Sequence, residues 1–141
     1  MKRVLFACVE NSNRSQMAEA FARMYGRGAV EPVSAGSRPG GVVSRKAIAA
    51  MGELGYDLSA HRSKGLDEVE GPFDYVITMG CGEECPYVAA ERREDWELPD
   101  PKDLPPDEFD RVRDEIEGRV NFVVGVSVVR PYRPRRSRTE S

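Results

Sequence analysis

"FACVENSNRSQMAEA", Phe6–Ala20, settles the architecture of this chain. It opens inside the apolar run "RVLFAC", residues 3–8, which reads as a strand buried on both faces. It ends in a helical period, with Met17, Ala20, Phe21 and Met24 on one side and Gly26 as a stop signal. Between strand and helix lie Val9, Glu10, Asn11, Ser12 and Asn13, mostly small and polar. A buried strand, a short polar loop and a helix begin a parallel β-α-β arrangement.

The rest of the chain repeats that grammar. "AVEPVSAGS", residues 29–37, is a second strand, and Pro32 points to a sheet edge. A helix lies in residues 42–63, with Ile48, Met51 and Leu54 on one face, and "FDYVITMG", residues 73–80, is another buried strand. A Gly/Glu/Cys loop is expected between that strand and Arg93, then a short extended piece, a Pro-rich turn and a final helix. Phe109, Val112 and Ile116 share one face of that helix, and Pro106 and Asp107 suit its first turn. "VNFVVGVSVV" carries apolar residues at every even position from Val120 to Val128, a strand-like alternation. The predicted class is α/β: a small four-stranded parallel sheet with helices on both faces, as one domain over residues 1–129. The basic, Pro-rich stretch 130–141 is expected to be a disordered tail. Ligands of such sheets sit at the carboxyl ends of the strands, where Cys8 lies.

Composition narrows the function. The chain has 141 residues and a formal charge of −3, which argues against a polyanion binder. The exception is Arg130–Ser141, with five arginines against one glutamate, where attraction to nucleic acid or a membrane surface is a minor alternative. No stretch approaches the roughly 18 apolar residues of a membrane span, and the N-terminus does not read as a signal peptide. A cytoplasmic monomer with neither a nucleic-acid nor a membrane partner is expected. Three cysteines do not form a paired disulfide framework, and a single histidine, His61, excludes a histidine-rich metal site.

The loop has the makings of an anion cradle. Successive N–H groups can converge on one point, and the following helix adds unpaired N–H groups and its positive dipole end. Arg14 adds a planar fork for two oxygens of a tetrahedral oxyanion. The expected binding residues are therefore Val9, Glu10, Asn11, Ser12, Asn13 and Arg14. The same field favours the anionic form of a thiol at Cys8, and Ser15 can donate a hydrogen bond to that sulfur. The competing reading is an inert buried cysteine and a surface arginine. A Walker loop is excluded, because its glycine spacing and lysine are absent.

"CVENSNRSQMAEA", "SAGS", "DYVITM" and "EDWELPDP" together resemble the low-molecular-weight tyrosine phosphatase superfamily, and within it the thioredoxin-coupled arsenate reductases. The likeness runs to about Val120. It implies that Cys8 is a nucleophile and that Asp100, in the Asp-Pro pair of "LPDPKD", is a general acid; Asp-Pro alone is equally an ordinary turn. It also implies no bound cofactor or metal, an external thiol reductant such as thioredoxin, and an arsenate or phosphate oxyanion as substrate.

Cys81 and Cys85 distinguish reduction from hydrolysis. A phosphatase needs only one thiolate, whereas reduction of arsenic(V) takes two electrons and therefore a second sulfur. The resemblance implies a Cys8–Cys81–Cys85 relay. On a regular helix, residues four apart have Cβ atoms about 5–6 Å apart, beyond a disulfide's 3.5–4.5 Å, so a Cys81–Cys85 bond is expected to need local refolding. Three other readings stand beside the relay: two structural cysteines, a zinc site from Cys8, Cys81, Cys85 and His61, and a phosphatase using Cys8, Arg14 and Asp100. A non-catalytic oxyanion or arsenite binder is a further alternative, against which Asp100 argues. Some relatives hold potassium beside the loop. Asn11, Glu19 and Ser34 match that pattern, and Lys64 falls where an aspartate is expected, so its ammonium is expected to stand in for the cation.

Overall fold

The computed structural model describes residues 1–80 and 87–125. Four strands, β1 (Lys2–Cys8), β2 (Val30–Gly36), β3 (Phe73–Thr78) and β4 (Ala90–Asp95), form one parallel sheet in the order β2-β1-β3-β4. Three helices accompany it: α1 (Arg14–Tyr25), α2 (Arg45–Gly52) and α3 (Pro106–Val124). β2 is an edge strand, as Pro32 indicated. α1 stops at Gly26, which permits a close approach: a Cβ there would lie 2.5 Å from Val30 Cγ2 and 2.7 Å from the Ala22 carbonyl.

Alternation along β1 divides its side chains between two cores. Val4, Phe6 and Cys8 face the larger one, with Met17 and Phe21 of α1, Met51 of α2, and Phe109, Ile116 and Val120 of α3. Leu5 faces the smaller one, with Ala35, Phe73 and Val76. Among the described residues, that second face is covered by a 3₁₀ turn at Leu66–Glu68 and by Val69 and Val88, rather than by an α-helix. Each fully buried large apolar side chain contributes about 1.5–3 kcal/mol, so the helix-covered face carries most of the apolar stabilisation.

Three expectations change. Residues 120–124, with their strand-like alternation, belong to α3, which continues to Val124 and ends at Gly125 with φ of 75°. The alternation coincides with a helical stripe, since Ile116, Val120 and Val123 lie on the core side at i, i+4 and i+7 while Phe122 is exposed. Residues 90–93 are strand rather than loop. They show no apolar period because β4 is an exposed edge, held to β3 by main-chain pairing and flanked by charge. Leu54 lies beyond the end of α2, whose buried residues are Ala47, Ala50 and Met51. Residues 126–141 lie outside the described residues.

Candidate active site

Register brings the site to one edge. Cys8 pairs with Gly36 across β1 and β2, and Ala7 with Thr78 across β1 and β3, so three strands end at one level. The period of β1 turns Cys8 toward the α1 side, where it is buried. Its Sγ lies 2.8 Å from Ser15 Oγ, in the first turn of α1.

The loop between them is wrapped from outside. The carbonyls of Cys8, Val9, Glu10 and Ser12 accept hydrogen bonds from the N–H groups of Ser37, Arg38, Gly40 and Ser44 (2.8–3.1 Å). A trans peptide points its N–H opposite to its C=O, so the N–H groups of Val9, Glu10, Asn11 and Asn13 turn inward. Ser63 Oγ also donates to the Glu10 carbonyl, and Ser12 Oγ to the Val42 carbonyl. Gly36 is required for this wrap: a Cβ there would stand 2.5 Å from the Val9 carbonyl oxygen and 2.9 Å from the Asn11 nitrogen.

Asn11 turns the chain with φ of 53°, a left-handed conformation that asparagine tolerates better than most residues. Its side chain is fully employed. Oδ1 accepts from Gln16 Nε2 (2.8 Å) and from the Lys64 backbone N–H (2.9 Å), and Nδ2 donates to Ser15 Oγ (2.7 Å). Because Ser15 accepts from Asn11, its own hydroxyl proton is available to the Cys8 sulfur. Gln16 is in turn fixed by the Arg62 carbonyl and by His61 Nδ1, and His61 Nε2 meets Tyr56 OH. A chain of polar contacts therefore runs from Tyr56 through His61, Gln16, Asn11 and Ser15 to Cys8. Burial pulls the His61 pKa below its ordinary value, while Glu19 pulls it back up.

α1 leaves its first turn open toward the cradle. Asn13 occupies the N-cap position but makes no side-chain capping hydrogen bond, whereas Ser44 caps α2 by accepting from both Lys46 and Ala47 N–H. Unpaired N–H groups at a helix start, together with the dipole, favour an anion. Arg14 is buried, and its Nη1 donates to the Met79 (2.7 Å) and Leu98 (3.1 Å) carbonyls. Among the described residues nothing else bonds this guanidinium, so Nε and Nη2 keep their donors. Gly80, with φ of 75°, lies against it: a Cβ there would be 3.0 Å from Arg14 Nη1 and 2.9 Å from the Leu98 carbonyl oxygen.

Asp100 is exposed in the loop after Leu98 and accepts from the Lys102 N–H (3.1 Å), while the neighbouring Pro101 is buried. Cys81 and Cys85 lie outside the described residues, so the expectations placed on them are not described structurally. The described chain stops one residue before Cys81, at Gly80. Beside the cradle, Lys64 Nζ lies 3.4 Å from Ser34 Oγ and 3.7 Å from Glu19 Oε1, and Ser34 Oγ donates to that same Glu19 oxygen at 2.6 Å. Burial lowers the Lys64 pKa, opposed by Glu19. Among the described residues no cluster of histidine, cysteine and carboxylate side chains could hold a metal ion.

Sequence reasoning missed Gln16 and Gly36 as builders of the site. Gln16 gave a signal of its own: a carboxamide placed between Ser15 and Met17 on a helix that is buried over most of its surface.

A buried thiol at the head of a loop whose carbonyls are bonded outward, with a buried arginine beside it, defines the class: an α/β protein with a cysteine and an arginine at the carboxyl edge of a parallel sheet. Residues 3–126 match the model of the family described as low molecular weight phosphotyrosine protein phosphatase, and the chain belongs to that family. It is 39% identical over 132 residues to the glutaredoxin arsenate reductase of Synechocystis sp., covering 90% of this chain and all of that one. It superposes on an arsenate reductase in the phosphate binding state with a TM-score of 0.81 at 37% identity, over 89% of this chain and 98% of the other. The thioredoxin-dependent arsenate reductase of Corynebacterium glutamicum gives a TM-score of 0.73 at 37% identity, over 87% of this chain and 60% of that one. Among the described residues, no helix is long and apolar enough to cross a membrane.

Proposed function

We propose that this chain reduces arsenate to arsenite through Cys8, Cys81 and Cys85, with thioredoxin as external reductant in the cytoplasm. The observation that carries the reading is the hydrogen bond from Arg14 Nη1 to the Met79 carbonyl. The proposed oxyanion-binding arginine grips the main chain two residues before the second cysteine. The names of the relatives support the choice of arsenic.

The chemistry follows from the cradle. Arsenate sits among the inward N–H groups and the Arg14 fork, with the Cys8 thiolate beneath it. Cys8 forms a sulfur–arsenic bond while Asp100 protonates the departing oxygen, which leaves as water; arsenic is still As(V). Cys81 then attacks the Cys8 sulfur. The electron pair of the breaking sulfur–arsenic bond stays on arsenic, which leaves as arsenite, and a Cys8–Cys81 disulfide forms. Cys85 attacks Cys81, Cys8 returns as thiolate, and thioredoxin reduces the Cys81–Cys85 disulfide. No bound cofactor or metal has a step in this sequence. Lys64, beside the Ser34–Glu19 hydrogen bond, supplies the positive charge that a potassium ion would bring.

The test is arsenate turnover with thioredoxin, thioredoxin reductase and NADPH. Cys8→Ser, Cys81→Ser and Cys85→Ser are each expected to stop turnover. If Cys81→Ser turns over at the wild-type rate, the relay is wrong. A plain phosphatase would hydrolyse an aryl phosphate equally well with or without Cys81.

A further inference from the structure

We infer that Lys46 is the positioning residue of the general acid, holding the Asp100 loop at its working distance from the cradle. This rests on the reading of Asp100 given above.

Lys46 lies at the start of α2, half-buried, with its ammonium directed at main chain rather than at a carboxylate. Its Nζ donates to the Lys102 carbonyl at 2.9 Å and the Leu104 carbonyl at 3.0 Å. Lys102 is also the residue whose N–H donates to Asp100 Oδ1. One residue thus binds the acid through its N–H and the lysine through its C=O. The turn is closed by Leu104 N–H donating to the Pro101 carbonyl at 3.0 Å. On the other side of Asp100, Arg14 holds the Leu98 carbonyl. The acid therefore sits between two cationic anchors, and both lead back to the cradle. Arg14 is part of it, and Lys46 follows Ser44, whose N–H donates to the Ser12 carbonyl at 3.1 Å and whose Oγ caps α2.

A long, rotamer-rich side chain fixed onto two carbonyls loses conformational freedom, so the two bonds must outweigh that cost. Asp100 itself is exposed, so no core contact orients it. Without the ammonium, the carbonyls of Lys102 and Leu104 are released, and the loop keeps only the Arg14 bond at Leu98 and the packing of Pro101 and Leu104. Lys46 carries no proton in the reaction; the proton still passes from the Asp100 carboxyl to the oxygen leaving arsenic.

The experiment measures kcat and KM for arsenate in the wild type, Lys46→Met, Lys46→Arg, Asp100→Asn and the double variant Lys46→Met/Asp100→Asn. Denaturation midpoints check folding, and Lys46→Gln replaces Lys46→Met if the latter does not fold. Lys46→Met is expected to lower kcat about tenfold, since a 1 Å misplacement can cost about a hundredfold, and to leave KM unchanged. Lys46→Arg should restore most of the loss. In the Asp100→Asn background, Lys46→Met should have no further effect. An equal loss in both backgrounds, or a raised KM with intact kcat, overturns the inference while the acid reading stands. Wild-type kcat in Asp100→Asn overturns the acid reading and the inference with it.

Discussion

The two sides of the site are built in opposite ways. On the Cys8 side, Asn11, Ser15 and Gln16 are fully buried, and Asn11 hydrogen-bonds both of the others. On the acid side, Asp100 is exposed, and its loop is held by the ends of two long cationic side chains. A buried polar network is costly unless every member is satisfied, and it is rigid when it is. A loop held at two points from outside can yield. On the proposed mechanism, the contrast teaches that a nucleophile at Cys8 is fixed before substrate arrives, while an acid at Asp100 has only to meet an oxygen that is leaving.

Breaking the buried side should have the largest effect. Arg14→Lys removes the fork and the donor to Met79 and Leu98 together, and should lower kcat by about 10²–10³, as loss of an oxyanion donor does. Steady-state arsenate kinetics check it. Gly36→Ala forces a Cβ against the Val9 carbonyl and should destabilise the fold by about 1–3 kcal/mol, read from urea midpoints, with activity falling as the loop opens. On the acid side, Asp100→Asn should lower kcat by about a hundredfold yet leave the urea midpoint within about 0.5 kcal/mol, because its surroundings are solvent. If Asp100→Asn proved the more destabilising of the two, the contrast would be inverted.

Smaller effects sharpen it. Exchanging sodium for potassium at constant ionic strength should leave the rate unchanged, since the Lys64 ammonium already lies beside Glu19 and Ser34. A clear increase would show a cation site that the lysine does not fill. The smallest effect concerns His61. Burial depresses its pKa in the fold, so the unfolded chain binds the proton more readily. Stability should be complete above about pH 6.5, the ordinary histidine value, and should decline as pH falls below it. His61→Gln should flatten that decline, as followed by denaturant midpoints.

The buried side was also the legible one. β1, α1 and the Cys8–Arg14 loop showed in the sequence because an apolar run, a polar gap and a helical period follow one another within residues 3–26. The partners that complete the cradle were not legible. The residues that take up the loop carbonyls come from 37–44, and their bonds are made by main-chain N–H groups that any sequence possesses. Lys46 acts over a distance in sequence that no local period reveals. The start of β4 was placed too late, after Arg93 rather than at Ala90, because an edge strand paired on one side needs no apolar face. The end of α3 was misread because Val120 and Val124 satisfy a period of two and a period of four alike.

The central claim is that the loop from Cys8 to Arg14 binds a tetrahedral oxyanion directly over the Cys8 sulfur. The direct measurement is the rate of Cys8 alkylation by iodoacetamide at one fixed pH, in a Cys81→Ser/Cys85→Ser background, with and without phosphate, and again with Arg14→Lys added. The account predicts that phosphate suppresses the rate and that Arg14→Lys weakens that protection. A rate indifferent to phosphate would contradict it.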